Sequence, residues 1–127
     1  MNTEKIQLGR QGEDQAVSLL EHHGYAILER NFRTRLGEID IIARQGDVIC
    51  FVEVKTRTNR NQGSPLEAIT FWKQRKLSQM ALLYLKQKRL IEVSARFDIV
   101  SIQKDPNGQQ TISLLKNAFD LSEGYRY

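Results

Sequence analysis

Residues 37–57 read Gly-Glu-Ile-Asp-Ile-Ile-Ala-Arg-Gln-Gly-Asp-Val-Ile-Cys-Phe-Val-Glu-Val-Lys-Thr-Arg. Their β-branched content and the central Gln45-Gly46 predict two antiparallel strands joined by a tight turn. Side chains alternate along a strand, so Glu38 and Asp40 share a face of the first strand, and Glu53 and Lys55 share a face of the second. With a two-residue Gln45-Gly46 loop, Asp40 faces Phe51 and Glu38 faces Glu53. All four charged residues then fall on one face, with Val48, Cys50, Val52 and Val54 on the other. A slip of one residue would exchange the faces. In this register Glu38 opposes Glu53 directly, which is repulsive unless a cation or proton lies between them. Asp40 and Glu53 are diagonal neighbours, about 7–8 Å apart at the backbone, within reach of one metal ion.

Outward from this hairpin, the spacing of Ile6, Gly9, Glu13, Ala16, Val17 and Leu20 predicts a helix over about residues 4–23, ended by Gly24. Glu13 lies within that stripe. An unpaired buried carboxylate is costly, so it either meets an arginine such as Arg30 or Arg33 or reaches the hairpin's charged face. Residues 25–33 read as the first strand, and residues 56–64 as a polar, basic loop. Ser64-Pro65-Leu66-Glu67 resembles a capping box, opening a helix that runs to about residue 88 with an interruption near Thr70. Strands over 96–102 and 111–115 follow, and residues 117–127 give no clear signal and read as a loose tail. The expected fold is α/β, in the order α-β-β-β-α-β-β, with helices on a central mixed sheet.

A chain of 127 residues is expected to form one domain, residues 1–127. The longest apolar run, residues 48–52, is far too short to span a bilayer, so no membrane partner is expected. The start, Met-Asn-Thr-Glu-Lys-Ile, lacks a signal-peptide core, and Cys50 is the only cysteine, so a reducing cytoplasm is expected. A net charge of +4 is compatible with a polyanionic partner.

Phosphodiester hydrolysis needs charge neutralisation on the phosphate and an activated water. Mg²⁺ or Mn²⁺ held by a few carboxylates supplies both. On this reading Asp40 and Glu53 are direct ligands and the Val54 carbonyl is a further one. Lys55 sits beside the attacking water or a phosphate oxygen. Glu38 and Glu13 serve a second ion or its waters.

Gly12-Glu13, residues 25–31, Gly37-Glu38-Ile39-Asp40 and Phe51-Val52-Glu53-Val54-Lys55-Thr56-Arg57 together resemble the bacterial YraN-like family. That family resembles the restriction-endonuclease-like PD-(D/E)xK nucleases, near the Holliday junction resolvases. The resemblance implies a restriction-endonuclease-like fold, with Asp40 as the motif aspartate, Glu53 as the second acid and Lys55 as the lysine. It also implies that Glu13 is the helix-one glutamate of the resolvase-like branch. Ile39 stands where the superfamily motif has proline. The basic groups Arg57/Arg60 and Lys73/Arg75/Lys76 are implied to lie near the active edge, where they would contact phosphates. Arg33/Arg35 is a further basic turn.

The expected function is therefore a metal-dependent nuclease acting on DNA, including branched or damaged DNA, with RNA also open as a substrate. A resolvase-like enzyme, which makes two symmetric cuts, is expected to be a homodimer. The alternative is a nucleic-acid-binding module of the same fold without turnover. A carboxylate-pair glycosidase gives Lys55 no role. Trp72 and Tyr84, at helical spacing, read as core residues. Asp98 reads as a charged strand-edge position, and His22-His23 has no partner for a zinc site.

Overall fold

The computed structural model describes residues 3–58 and 66–120. Its elements are α1 (Thr3–His22), β1 (Ala26–Thr34), β2 (Gly37–Gln45), β3 (Val48–Arg57), a 3-10 turn (Leu66–Ala68), α2 (Phe71–Gln87), β4 (Ala95–Lys104) and β5 (Gln110–Phe119). They form one five-stranded mixed sheet in the order β1-β2-β3-β4-β5. All neighbours are antiparallel except β3 and β4, which run parallel with α2 as the crossover between them. The expected α/β class and element order are present.

Each face of the sheet carries one helix. Ala16 and Leu20 of α1 pack on Ile41, Ala43, Cys50, Val52, Val100 and Ile102. Leu77, Met80, Ala81, Tyr84 and Leu85 of α2 pack on Ile42, Ile49, Phe51, Phe97 and Ile99. β3 and β4 contribute to both clusters, because apolar side chains on alternate faces of each strand are covered by one helix on either side. Close approach of α1 to β3 depends on Gly12, where a Cβ would lie 2.7 Å from Thr56 Oγ1. Gly24, at φ +83, follows α1 as expected.

The central hairpin differs from expectation in register. The turn is Gly46-Asp47, and the ladder runs from Gln45↔Val48 to Ile41↔Val52. Gly46 at φ +59 takes the first central position, where a II′ hairpin places glycine. Gln45 is instead a strand residue with its side chain captured: Nε2 donates to the His23 carbonyl, and Oε1 accepts from Arg96 and Lys116. Each pairing is offset by two residues, which leaves side chains on their faces but changes who opposes whom. Glu38 does not face Glu53. It pairs with Arg33 of β1 and is held by Arg33 Nε at 3.1 Å.

Several boundaries also move. The capping box is not the start of α2: Ser64 and Pro65 lie outside the described residues, and Thr70 caps the helix by accepting from the Lys73 amide. The interruption near Thr70 is present. β5 extends to Phe119, whose ring stacks on Phe97 at 4.5 Å. Residues 117–119 therefore belong to the sheet and not to a tail, and 121–127 lie outside the described residues. Asp98 is not at a strand edge. β4 is an interior strand, and the buried Asp98 carboxylate accepts from Tyr25 Oη at 2.8 Å, Arg96 Nε at 3.0 Å and the Asn117 amide at 2.9 Å. This carboxylate is fully employed in joining β4 and β5 to the start of β1.

Candidate active site

The β2–β3 ladder ends at Ile41↔Val52, and the candidate site begins one residue beyond. Strict alternation stops there too: Ile41 packs on the α1 side, while Ile39 joins Phe32 and Ile42 on the α2 side. Where the strands part, beyond the last ladder pair, the Val54 amide donates to the Asp40 side chain, Oδ2 at 2.8 Å. This bond fixes Asp40 beside Glu53. A cleft of about 540 Å³ opens over the pair, lined by Glu38, Asp40, Glu53, Val54 and Lys55 from the hairpin and by Thr70, Trp72, Lys73 and Lys76 from α2.

Glu53 is 4% exposed. Its Oε2 lies 3.4 Å from Lys73 Nζ, and its Oε1 is buried with no hydrogen-bond partner. Burial, then the charge of Asp40, pushes its carboxyl up to about 7. Asp40 is raised as well, by burial first and by Glu13 and Glu38, against the Val54 amide and Lys73, which lower it. Burial lowers Lys55, and its neighbour Lys73 adds to that shift. For Lys73 burial acts downward, but Glu53 and Asp40 outweigh it and raise the group. The cleft is thus a compact set of two acids and two lysines whose charges are mutually dependent. A buried acid with an unsatisfied oxygen, beside a half-buried one, is the environment in which a proton or a cation is held.

The remaining predicted residues are distributed around this centre. Glu13 meets the first of its two expected partners, Arg30, and does not line the cleft. Its Oε1 accepts from Arg30 Nε at 3.1 Å and Asn31 Nδ2 at 3.0 Å, and its charge still reaches Asp40. Glu38 lines the cleft while paired to Arg33. Among the described residues no three His, Cys, Asp or Glu side chains converge into a metal cage, and Arg30 and Arg33 hold Glu13 and Glu38. Lys73 lines the cleft and pairs with Glu53, and the exposed Lys76 lines it as well. Arg57 ends β3, Arg75 projects from the first turns of α2, and Arg60 lies outside the described residues.

Trp72 is the residue whose expected placement fails most clearly. It is 69% exposed, beside Phe71 at 61%, whereas Tyr84 is buried as expected. Both exposed rings precede the first buried α2 position, Leu77. Helical spacing alone cannot show that α2 buries no residue before Leu77.

Residues 12–102 match the family described as Uncharacterised protein family UPF0102. The chain belongs to the UPF0102 family. Among its relatives, a UPF0102 protein of Syntrophus aciditrophicus is 48% identical over 122 residues, covering 96% of this chain and 95% of that one. Another, from Geobacter metallireducens, is 49% identical over 122 residues, covering 96% and 99%. The YraN-like resemblance is thereby shown at the level of the family. Among solved structures, Pyrococcus furiosus SfsA in complex with Ca²⁺ covers 89% of this UPF0102 chain and 63% of its own, at 12% identity and a TM-score of 0.40. Within the UPF0102 match fall Glu13, Asp40, Glu53, Lys55 and the Trp72–Lys76 turn.

Proposed function

We propose that this protein is a metal-dependent nuclease of the restriction-endonuclease-like class, hydrolysing phosphodiester bonds in DNA. The observation that carries the reading is the buried Glu53 carboxylate, with one unpartnered oxygen, beside Asp40 and Lys55 in an open cleft. Mg²⁺ or Mn²⁺ suits such a site, since these ions are bound through one or two carboxylates and otherwise by water and phosphate oxygens. When bound, the ion supplies charge neutralisation on the phosphate and a more acidic water.

Asp40 and Glu53 would hold the ion, with the Val54 carbonyl as a further donor. Val54 also fixes Asp40 through its amide. Glu13 and Glu38, paired to Arg30 and Arg33, contribute negative potential around the pair and would accept from metal-bound water. Lys55 would face the scissile phosphate and stabilise the charge that develops there. Lys73, which pairs with Glu53 at 3.4 Å, would turn to a phosphate oxygen once a cation neutralises that acid. Lys76 would grip a neighbouring phosphate, with Arg57, Arg60 and Arg75 further out. A homodimer would supply the second cut of a junction substrate.

The test is cleavage of duplex, single-stranded, flap and four-way-junction DNA, and of RNA, with Mg²⁺, with Mn²⁺ and with EDTA. Metal-dependent cutting that disappears in Asp40→Asn and Glu53→Gln is the expected result. Cutting that persists in both variants excludes this site.

A second reading, a nucleic-acid-binding module without turnover, is favoured by one contact. The Lys73–Glu53 pair already satisfies half of the buried carboxylate without any metal. It predicts salt-sensitive DNA binding that survives loss of both acids, and a melting temperature indifferent to Mn²⁺.

A further inference from the structure

Phe71 and Trp72 are the two most exposed large hydrophobic side chains among the described residues, at 61% and 69%. They are adjacent rings, 5.8 Å apart and set edge to face. The Arg75 guanidinium lies over both, 5.7 Å from the Phe71 centroid and 5.8 Å from that of Trp72. Trp72 also lines the cleft that holds Asp40, Glu53 and Lys55. Two adjacent exposed rings offer apolar surface that a partner can cover.

The surrounding charge identifies the partner. The first turn of α2 contains no acid, although acids are what a helix N-terminus favours. It carries Lys73, with Arg75 and Lys76 next to it. Aromatic rings among cations, at the mouth of a phosphodiester-cleaving cleft, match a nucleic-acid strand: phosphates for the cations and a base face for the rings. A base inside a continuous duplex has both faces occupied by its neighbours, so only an unpaired or extruded base can stack there.

We infer that Phe71, Trp72 and Arg75 form a stacking platform for an unpaired nucleobase next to the scissile phosphate, so that the substrate is a strand with single-stranded character at the cut. Arg75 covers one face of the indole, and the base takes the open face. Stacking on an aromatic side chain changes affinity by roughly five- to a hundredfold per base. The proposal rests on the nuclease reading for the position of the cut, but the platform is tested by binding alone.

Trp72 is the only tryptophan in the chain, so intrinsic tryptophan fluorescence reports this platform directly. The full chain is titrated in EDTA with oligo(dT), with a blunt duplex and with the same duplex bearing a single-stranded flap. Fluorescence quenching is read in parallel with the anisotropy of end-labelled DNA. The expected result is quenching by oligo(dT) and by the flap but not by the blunt duplex. Trp72→Ala lowers affinity for the flap about tenfold while changing duplex affinity less than twofold, and Trp72→Phe restores most of the loss. Both rings are exposed, so circular dichroism and melting temperature stay at parental values.

Equal quenching by blunt duplex, or unchanged flap affinity in Trp72→Ala, overturns the platform. A shift in oligomeric state in Trp72→Ala with no effect on DNA binding also overturns it, and assigns the rings to a protein contact. Cleavage assays on the parent protein, run beside the titration, separate the two proposals. Flap-selective quenching in a parent protein that cleaves none of the substrates with Mg²⁺ or Mn²⁺ defeats the nuclease and keeps the platform. Metal-dependent cleavage without flap selectivity does the reverse.

Discussion

Glu53 shows how much one side chain determines. Its ordinary carboxyl value is 4.5, and in the folded chain it stands near 7. Between those pH values the folded state holds more protons than the unfolded state, so stability falls as pH rises through that window. Above pH 7 the metal-free protein carries a buried anion satisfied on one oxygen only. Glu53→Gln removes that burden. At pH 8 without metal the variant should melt roughly 5 °C or more above the parent. At pH 4, where both carry a neutral group, the difference should nearly vanish. On the metal-binding reading, Mn²⁺ raises the parent's melting temperature at pH 8 and leaves the variant's unchanged. Thermal melts across pH, with and without Mn²⁺, check all three statements. A variant less stable than the parent at pH 8 would mean that the Lys73 pair outweighs the burial cost.

Elements meet at distances that single residues permit, and Gly12 sets that distance for α1 against β3. A Cβ at Gly12 would stand 2.7 Å from Thr56 Oγ1, and threonine is stiff at χ1. Overpacking of this kind costs about 1–3 kcal/mol, against about 1 kcal/mol returned by alanine's better helix propensity. Gly12→Ala should therefore destabilise by about 1 kcal/mol in urea unfolding. In a Thr56→Ala background the same change should be neutral or stabilising, because the clash is gone while the propensity gain remains. Equal effects in both backgrounds would place the cost elsewhere. The hairpin teaches a related lesson. Alternation in the sequence put Asp40, Glu53 and Lys55 together, and the structure does so too, but through a different register. Glycine took the first turn position, and Gln45 was drawn into the strand by His23, Arg96 and Lys116. An offset of two conserves faces, so the site was legible although the partners were not.

At the scale of the whole molecule, β3 is the central strand and has a helix over each face. Cys50, fully buried within it, has its thiol pushed up to about 11, by burial first and by the charge of Asp98. A thiol reagent at pH 8 should label native protein orders of magnitude more slowly than unfolded protein, at a rate that follows global opening. Rapid labelling with native circular dichroism would show local opening of β3. No helix among the described residues is long and apolar enough to cross a membrane. The sequence by itself determined the α/β class, the element order and the acid pair with its lysine, because these follow from short-range periodicity and from residue types that are costly in a strand without a partner. Tertiary structure alone decided four things: that Arg33 and Arg30 hold Glu38 and Glu13, that Lys73 enters the cleft, that Asp98 is interior, and that Trp72 faces water. The Arg33–Glu38 pair follows from the register of the β1–β2 ladder, and the rest from where a helix or strand ends relative to elements far away in the chain; local spacing contains no information about either.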